Sequence, residues 1–169
     1  MDISRRQFLR GAPLTREGRE QTEKLLIPLG PAPPWHQGII NAESCRDCHH
    51  PCVDACETGV IQLHAADHAL KGMPYLAFTQ AGCNFCGACA TVCPLPIPKD
   101  DHPPPNIGLA QLNQTRCLAW NKVVCMSCRF ACDVNAIHMT SIHPPTINEA
   151  QCTGCGNCIS VCPQQAISL

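Results

Sequence analysis

Cysteine is the residue type whose number and spacing could do chemistry here: 16 of 169 residues, falling into four groups. The last group is Cys152-Thr-Gly-Cys155-Gly-Asn-Cys158-Ile-Ser-Val-Cys162-Pro163. In its spacing, C-x2-C-x2-C-x3-C-P, three close thiolates reach three irons of one [4Fe–4S] cube, and the fourth, before proline, usually serves the other cube of a pair. Gly154 and Gly156 lack a Cβ, so the backbone can wrap tightly and aim amides at cluster sulfur. Cys83, Cys86, Cys89 and Cys93, followed by Pro94, repeat the same spacing. Zinc sites divide their ligands into two separated pairs, and four cysteines within eleven residues suit that poorly.

The other two groups are irregular. Cys45, Cys48, Cys52 and Cys56 have one extra residue in the middle, within His49-His50-Pro51. A histidine there could replace a thiolate and raise the cluster potential; with four cysteines present, a widened loop that exposes the cluster is the preferred reading. Cys117, Cys125, Cys128 and Cys132 have a first gap of seven residues. A [4Fe–4S] cube is expected there too if Cys117 reaches it, a weaker or different cluster being the alternative. The expectation is four [4Fe–4S] clusters with all sixteen cysteines as ligands. Whether neighbouring groups pair, or the outer with the outer and the inner with the inner, is open.

The elements that must hold these thiolates repeat with them. The first cysteines of successive groups are 38, 34 and 35 residues apart. Cys56-Glu-Thr-Gly-Val-Ile-Gln-Leu63, Cys132-Asp-Val-Asn-Ala-Ile-His-Met139 and Cys162-Pro-Gln-Gln-Ala-Ile-Ser-Leu169 align without gaps. Each reads as a short helix carrying the fourth cysteine, then a strand whose alternate residues turn inward. A repeat of this length needs a neighbour. The prolines after Cys93 argue against a regular strand there, and residues 98–107 are expected to be a hinge. The predicted fold is α+β: tandem ferredoxin-like two-cluster units, loop-rich, with short helices and hairpins. Residues 39–100 form the first unit and 108–169 the second, behind an N-terminal helical and extended arm, 1–38.

Composition supports metal as the staple. The apolar fraction is 45%, but it counts cysteine, and aromatics are only 4%, so the core is small. No apolar run is long enough for a signal peptide or a transmembrane helix, which favours reduced, metal-binding thiols in the cytoplasm over disulfides. A formal net charge of −1 argues against nucleic acid as a partner, and four oxidised clusters at about −2 each would take the holoprotein to about −9.

In the arm, Ser4-Arg5-Arg6-Gln7-Phe8-Leu9-Arg10 looks like a twin-arginine signal. Arg16, Glu17, Arg19, Glu20, Glu23 and Lys24 then stand where an export signal needs an apolar stretch. A charged helix over Leu14–Leu26, stopped by Pro28 and Gly30, is expected instead, and 28–38 form a stiff extended linker. Trp35 either anchors a partner or packs against the first cluster domain. His36, His64, His68, His102, His138 and His143 make no two-ligand spacing and read as surface residues. No phosphate loop, catalytic triad or HExxH helix is present, so the chain supplies wiring without an evident catalyst and is not expected to be an enzyme.

Ser4-Arg5-Arg6, Pro33-Pro34-Trp35, the four groups in this order and Cys117-Leu-Ala-Trp120 together resemble the NapF-type ferredoxins of bacterial periplasmic nitrate reductase systems. The resemblance runs nearly end to end, and its specificity rests on Trp35, the third group and the arm. It implies a cytoplasmic iron–sulfur protein that binds the precursor of the catalytic molybdenum subunit, NapA, before export and aids its maturation, by electron supply to its cofactor or cluster. The alternative is an electron-transfer subunit, or a soluble polyferredoxin, of another oxidoreductase.

Overall fold

A computed structural model describes residues 27–36, 38–97, 107–140 and 143–169, and the Ala42 side chain is not described. The helix expected over Leu14–Leu26, the Arg5-Arg6 motif, His102 and most of the expected hinge at 98–107 lie outside these residues. Short elements and turns dominate, as expected of a chain held together at its cysteines. In order they are a 3-10 turn at Pro34–His36, then α1 (Ala42–Arg46), α2 (Pro51–Asp54), β1 (Ile61–Leu63), β2 (Pro74–Leu76), α3 (Ala88–Thr91), β3 (Gln111–Leu112), α4 (Ser127–Phe130), β4 (Ile137–His138), β5 (Thr146–Ile147), α5 (Asn157–Ser160) and β6 (Ile167–Ser168).

Among the described residues all pairing is antiparallel, in three two-stranded sheets. β1 pairs with β2, β4 with β5, and β3 with β6, so the second half closes its first strand against its last. The described residues from Cys93 to Ile97 contain no strand, as the proline run suggests. Residues 29–36 instead cover the first half, and the Leu76 amide of β2 donates to the Pro31 carbonyl at 2.8 Å.

This corrects the reading of 28–38 as a linker. Pro33, Pro34, Trp35 and His36 are all buried. Trp35 joins Val60, Ile61, Leu76, Ala90, Ile97 and Ile107 in the larger of the two cores, which settles its role in favour of packing against the first cluster domain. The histidines are corrected with it. His36, His64 and His68 are buried, not surface residues. His64 Nε2 accepts the Leu29 amide at 3.2 Å, and its Nδ1 donates to the Met73 carbonyl at 2.8 Å. His68 Nδ1 accepts from the Leu70 amide, and its Nε2 donates to the Ile27 carbonyl at 3.1 Å. The two rings pack at a tilt of 37° with centroids 4.5 Å apart, and His64 packs against Tyr75 at 50° and 4.6 Å. Each nitrogen has one partner of the right kind, so the two imidazoles fasten Ile27 and Leu29 to the segment between β1 and β2. Burial, and then neighbouring His68, hold the His64 pKa down against the Met73 carbonyl.

Candidate metal centres

The sixteen cysteines are brought together in four sets around four hollows, and no disulfide joins any of them. Cavity A is lined by Cys45, Cys48, Cys52 and Cys93, and cavity B by Cys56, Cys83, Cys86 and Cys89. Cavity C is lined by Cys132, Cys152, Cys155 and Cys158, and cavity D by Cys117, Cys125, Cys128 and Cys162. Each takes three cysteines from one group and the fourth from its partner group. Neighbouring groups therefore pair, one with two and three with four, which spacing within a group could not decide.

Three local devices aim the thiols. The first is the corner after each fourth cysteine. Gly59, Asn135 and Gln165, three residues beyond Cys56, Cys132 and Cys162, take the left-handed conformation, with φ of 66°, 53° and 47°. The turn points the next amide back at the sulfur: Ala136 N–H meets Cys132 Sγ and Ala166 N–H meets Cys162 Sγ, both at 3.2 Å. Val60, Ala136 and Ala166 are then buried, and the isoleucine after each opens a strand. The aligned tails in the sequence are the trace of this corner. The second device is the residue before the short helix bearing the third cysteine. His50, Gly87 and Gly156 are left-handed there, with φ of 54°, 72° and 83°. A Cβ on Gly156 would run into the Phe78 ring, so the need for glycine is tertiary as well as local. The third is the long gap of group three. Asn121 Nδ2 donates to the Cys117 carbonyl at 2.8 Å and the Thr115 carbonyl at 3.1 Å, and Val123 N–H returns to Leu118 O at 2.9 Å. The insertion is a closed turn that leaves Cys117 and Cys125 beside the same hollow.

The extra residue of group one does not open its cavity. Cys45 and Cys52 are buried, and His50 turns down to line the hollow with His36, while His49 stays exposed. With Pro51 starting α2 directly after left-handed His50, the added length goes into a cover. Cys86 of the regular second group is the exposed one.

The hollows fit a cube better than a single ion. Each is ringed by four thiols, three from one group and one from its partner, so one class of occupant suits all four. Among the described residues, no three His, Cys, Asp or Glu side chains converge as they would on one metal ion; the thiols stand around the space. Burial followed by neighbouring thiols raises Cys52, Cys83 and Cys128 to about 11 and Cys89 and Cys158 to about 12. Without metal these groups are neutral, and binding releases their protons. Cys56 departs: burial would raise it, but the Thr58 hydroxyl and the backbone amides of Ile61, Val60 and Gly59 outweigh burial and lower its pKa. Burial also brings the His36 imidazole down to about 4.

The halves meet at cavities B and C. Cys83 N–H donates to the Cys155 carbonyl at 2.7 Å, and Gly82 N–H to Asn157 Oδ1 at 2.9 Å. A Cβ on Gly82 would strike Asn157 and Cys155, and one on Gly154 the backbone of Gly108. The four hollows thus follow one another as A, B, C and D.

Two family models match the chain: a 4Fe-4S dicluster domain over residues 44–97 and a 4Fe-4S binding domain over 145–168. The ferredoxin-type protein NapF of Haemophilus influenzae is 32% identical over 176 residues, covering 99% of this chain and 94% of its own length. That of Escherichia coli K12 is 32% identical over 149 residues, 82% of this chain and 84% of its own. The chain belongs to the NapF ferredoxin-type family. It is thus a [4Fe–4S] protein built from tandem ferredoxin domains with small sheets and short helices. A further relative, the ferredoxin-type protein NapG of Escherichia coli K12, is 30% identical over 148 residues, 74% of this chain and 64% of its own. No solved structure matches. No helix among the described residues is long and apolar enough to cross a membrane.

Proposed function

We propose that this NapF-family chain holds four [4Fe–4S] clusters, one in each cavity with the four cysteines named there as ligands, and conducts single electrons to the catalytic molybdenum subunit of a periplasmic nitrate reductase. The division into two two-cluster units, 39–100 and 108–169, belongs to the same reading, with residues 29–36 working as the cover of the first. The observation that carries it is the unbroken row of four thiol-ringed hollows, joined at its middle by the Cys83–Cys155 hydrogen bond. The clusters supply reversible one-electron storage at potentials that their protein surroundings tune. The thiols fix their positions. The chain is a conductor, not an enzyme.

The partner reading comes from the family: the enzyme subunit NapA is met in the cytoplasm as its precursor, before export, at the cavity A end. Electrons enter at the D end, where Val124 is 95% and Phe130 77% exposed beside Cys125 and Cys128. An apolar rim at a cluster favours a protein that docks over one that diffuses freely.

Anaerobic reconstitution is expected to saturate near sixteen irons per chain; saturation near twelve, with Cys117 still alkylable, removes cavity D. A chain lacking residues 1–26, which spares the buried cover, is expected to keep its iron and lose capture of the NapA precursor. Equal capture of the mature exported enzyme by the full chain would overturn the accessory role and leave a general electron carrier.

A further inference from the structure

Four buried side-chain nitrogens among the described residues have no hydrogen-bond partner: Trp35 Nε1, both ring nitrogens of His36, and His50 Nε2. All belong to the first half. His36, 1% exposed, and His50 line cavity A; Trp35 lines cavity B with its ring against Gly87. An unmet buried donor is destabilising, and native chains rarely leave one so. Here the unmet groups surround hollows whose expected occupants carry sulfur acceptors. Cavities C and D have no buried side-chain nitrogen in this state among the described residues. Backbone amides reach thiol sulfur in both halves, through Phe85 at Cys83 as through Ala166 at Cys162, so the side-chain donors are the difference.

Hydrogen bonds to cluster sulfur stabilise the added negative charge of the reduced form and raise the potential. We propose that His36 and His50 are positioning residues that donate N–H hydrogen bonds to the sulfurs of the cluster in cavity A, as Trp35 does in cavity B, making the first half the high-potential end of the row. Electrons then run from D through C and B to A. The reductant is a one-electron carrier, such as a reduced iron–sulfur protein. Each transfer oxidises one cluster by one electron and reduces the next by one, and both histidines keep their protons. This rests on the four-cluster reading, and iron content, measured first in every sample, tells failure of that reading apart from failure of this one.

The test is a redox titration of the full-length, reconstituted chain followed by EPR. In His36→Leu with full iron, the first cluster to be reduced is expected to become about tenfold harder to reduce, a shift of about 59 mV for one electron. His36→Gln, which restores a donor, is expected to recover part of it. An unchanged first midpoint in iron-replete His36→Leu overturns the proposal. Should that variant fail to load, wild-type protein labelled with ¹⁵N-histidine decides. Pulsed EPR of the first-reduced cluster is expected to show weak histidine nitrogen coupling. No coupling, or coupling as strong as that of a directly bound imidazole, overturns the hydrogen-bond assignment.

Discussion

In the first half, Trp35, Val60, Ile61, Leu76, Ile97 and Ile107 gather into a core around which cavities A and B are set. In the second half the packed cluster is smaller, Ala110, Ile137 and Ile167 with Cys128 and Cys158, and larger apolar side chains such as Val123, Val124 and Phe130 face outward. Both halves use the same corner after the fourth cysteine and the same exchange of that cysteine between cavities. The difference teaches that the cysteine framework needs little hydrophobic support to set its shape. The extra core of the first half, with its roof of Trp35 and His36, is therefore available for tuning what the framework holds.

Metal removal should separate the halves most. With cysteines making up so much of its interior, the second half has little apolar burial to oppose chain entropy without clusters. After treatment with chelator and oxidant, hydrogen exchange is expected to reach the unprotected rate across 108–169, while β1 and β2 exchange more slowly. Equal loss of protection in both halves would break the comparison.

The next effect is a pair of tryptophan truncations. Trp35 is buried at 9% exposure and Trp120 stands at 36%, its Nε1–H on the Pro145 carbonyl at 3.2 Å. Trp35→Ala is expected to cost about 3 kcal/mol, lowering the midpoint for loss of cluster absorbance by on the order of 10 °C at a fixed scan rate. Trp120→Ala should cost about 1 kcal/mol. Similar shifts for the two would mean that the cover of the first half carries no special weight.

What the sequence disclosed follows the range of the interactions involved. The four cysteine groups and the strand starts after Val60, Ala136 and Ala166 were legible because each is a local motif repeated along the chain. Trp35 was legible only as two alternatives, since its packing depends on β2 and on α3, residues far along the chain. His36, His64 and His68 were misread because no local pattern distinguishes a surface histidine from one that lines a cavity, as His36 does, or whose nitrogens meet Leu29, Met73 and Ile27, as those of His64 and His68 do. The widened loop was misread for a similar reason: an added residue can open a site or close it, and left-handed His50 before Pro51 decides that here. Pairing of neighbouring groups is a long-range fact and had no local signal.

The smallest expected effect tests whether the shared corner is equally built in both halves. Gly59, Asn135 and Gln165 occupy one structural position with φ of 66°, 53° and 47°. For a residue with a Cβ that conformation costs roughly 1–2 kcal/mol, and asparagine bears it better than glutamine. Glycine avoids the strain but loses more freedom on folding, roughly 0.5–1 kcal/mol against alanine in regular structure. Gln165→Gly should therefore stabilise the second half by a few tenths of a kcal/mol up to about 1 kcal/mol. Nothing within 4 Å would meet a Cβ on Gly59, so Gly59→Gln should destabilise the first half by a similar amount through the backbone alone. Cluster-loss midpoints of the two single variants and of the double exchange measure this, and the double variant should return close to wild type because the sites lie in different halves. If Gln165→Gly is destabilising, the glutamine side chain is making a contact that the first half does without, and the corner is not the common unit the two halves share.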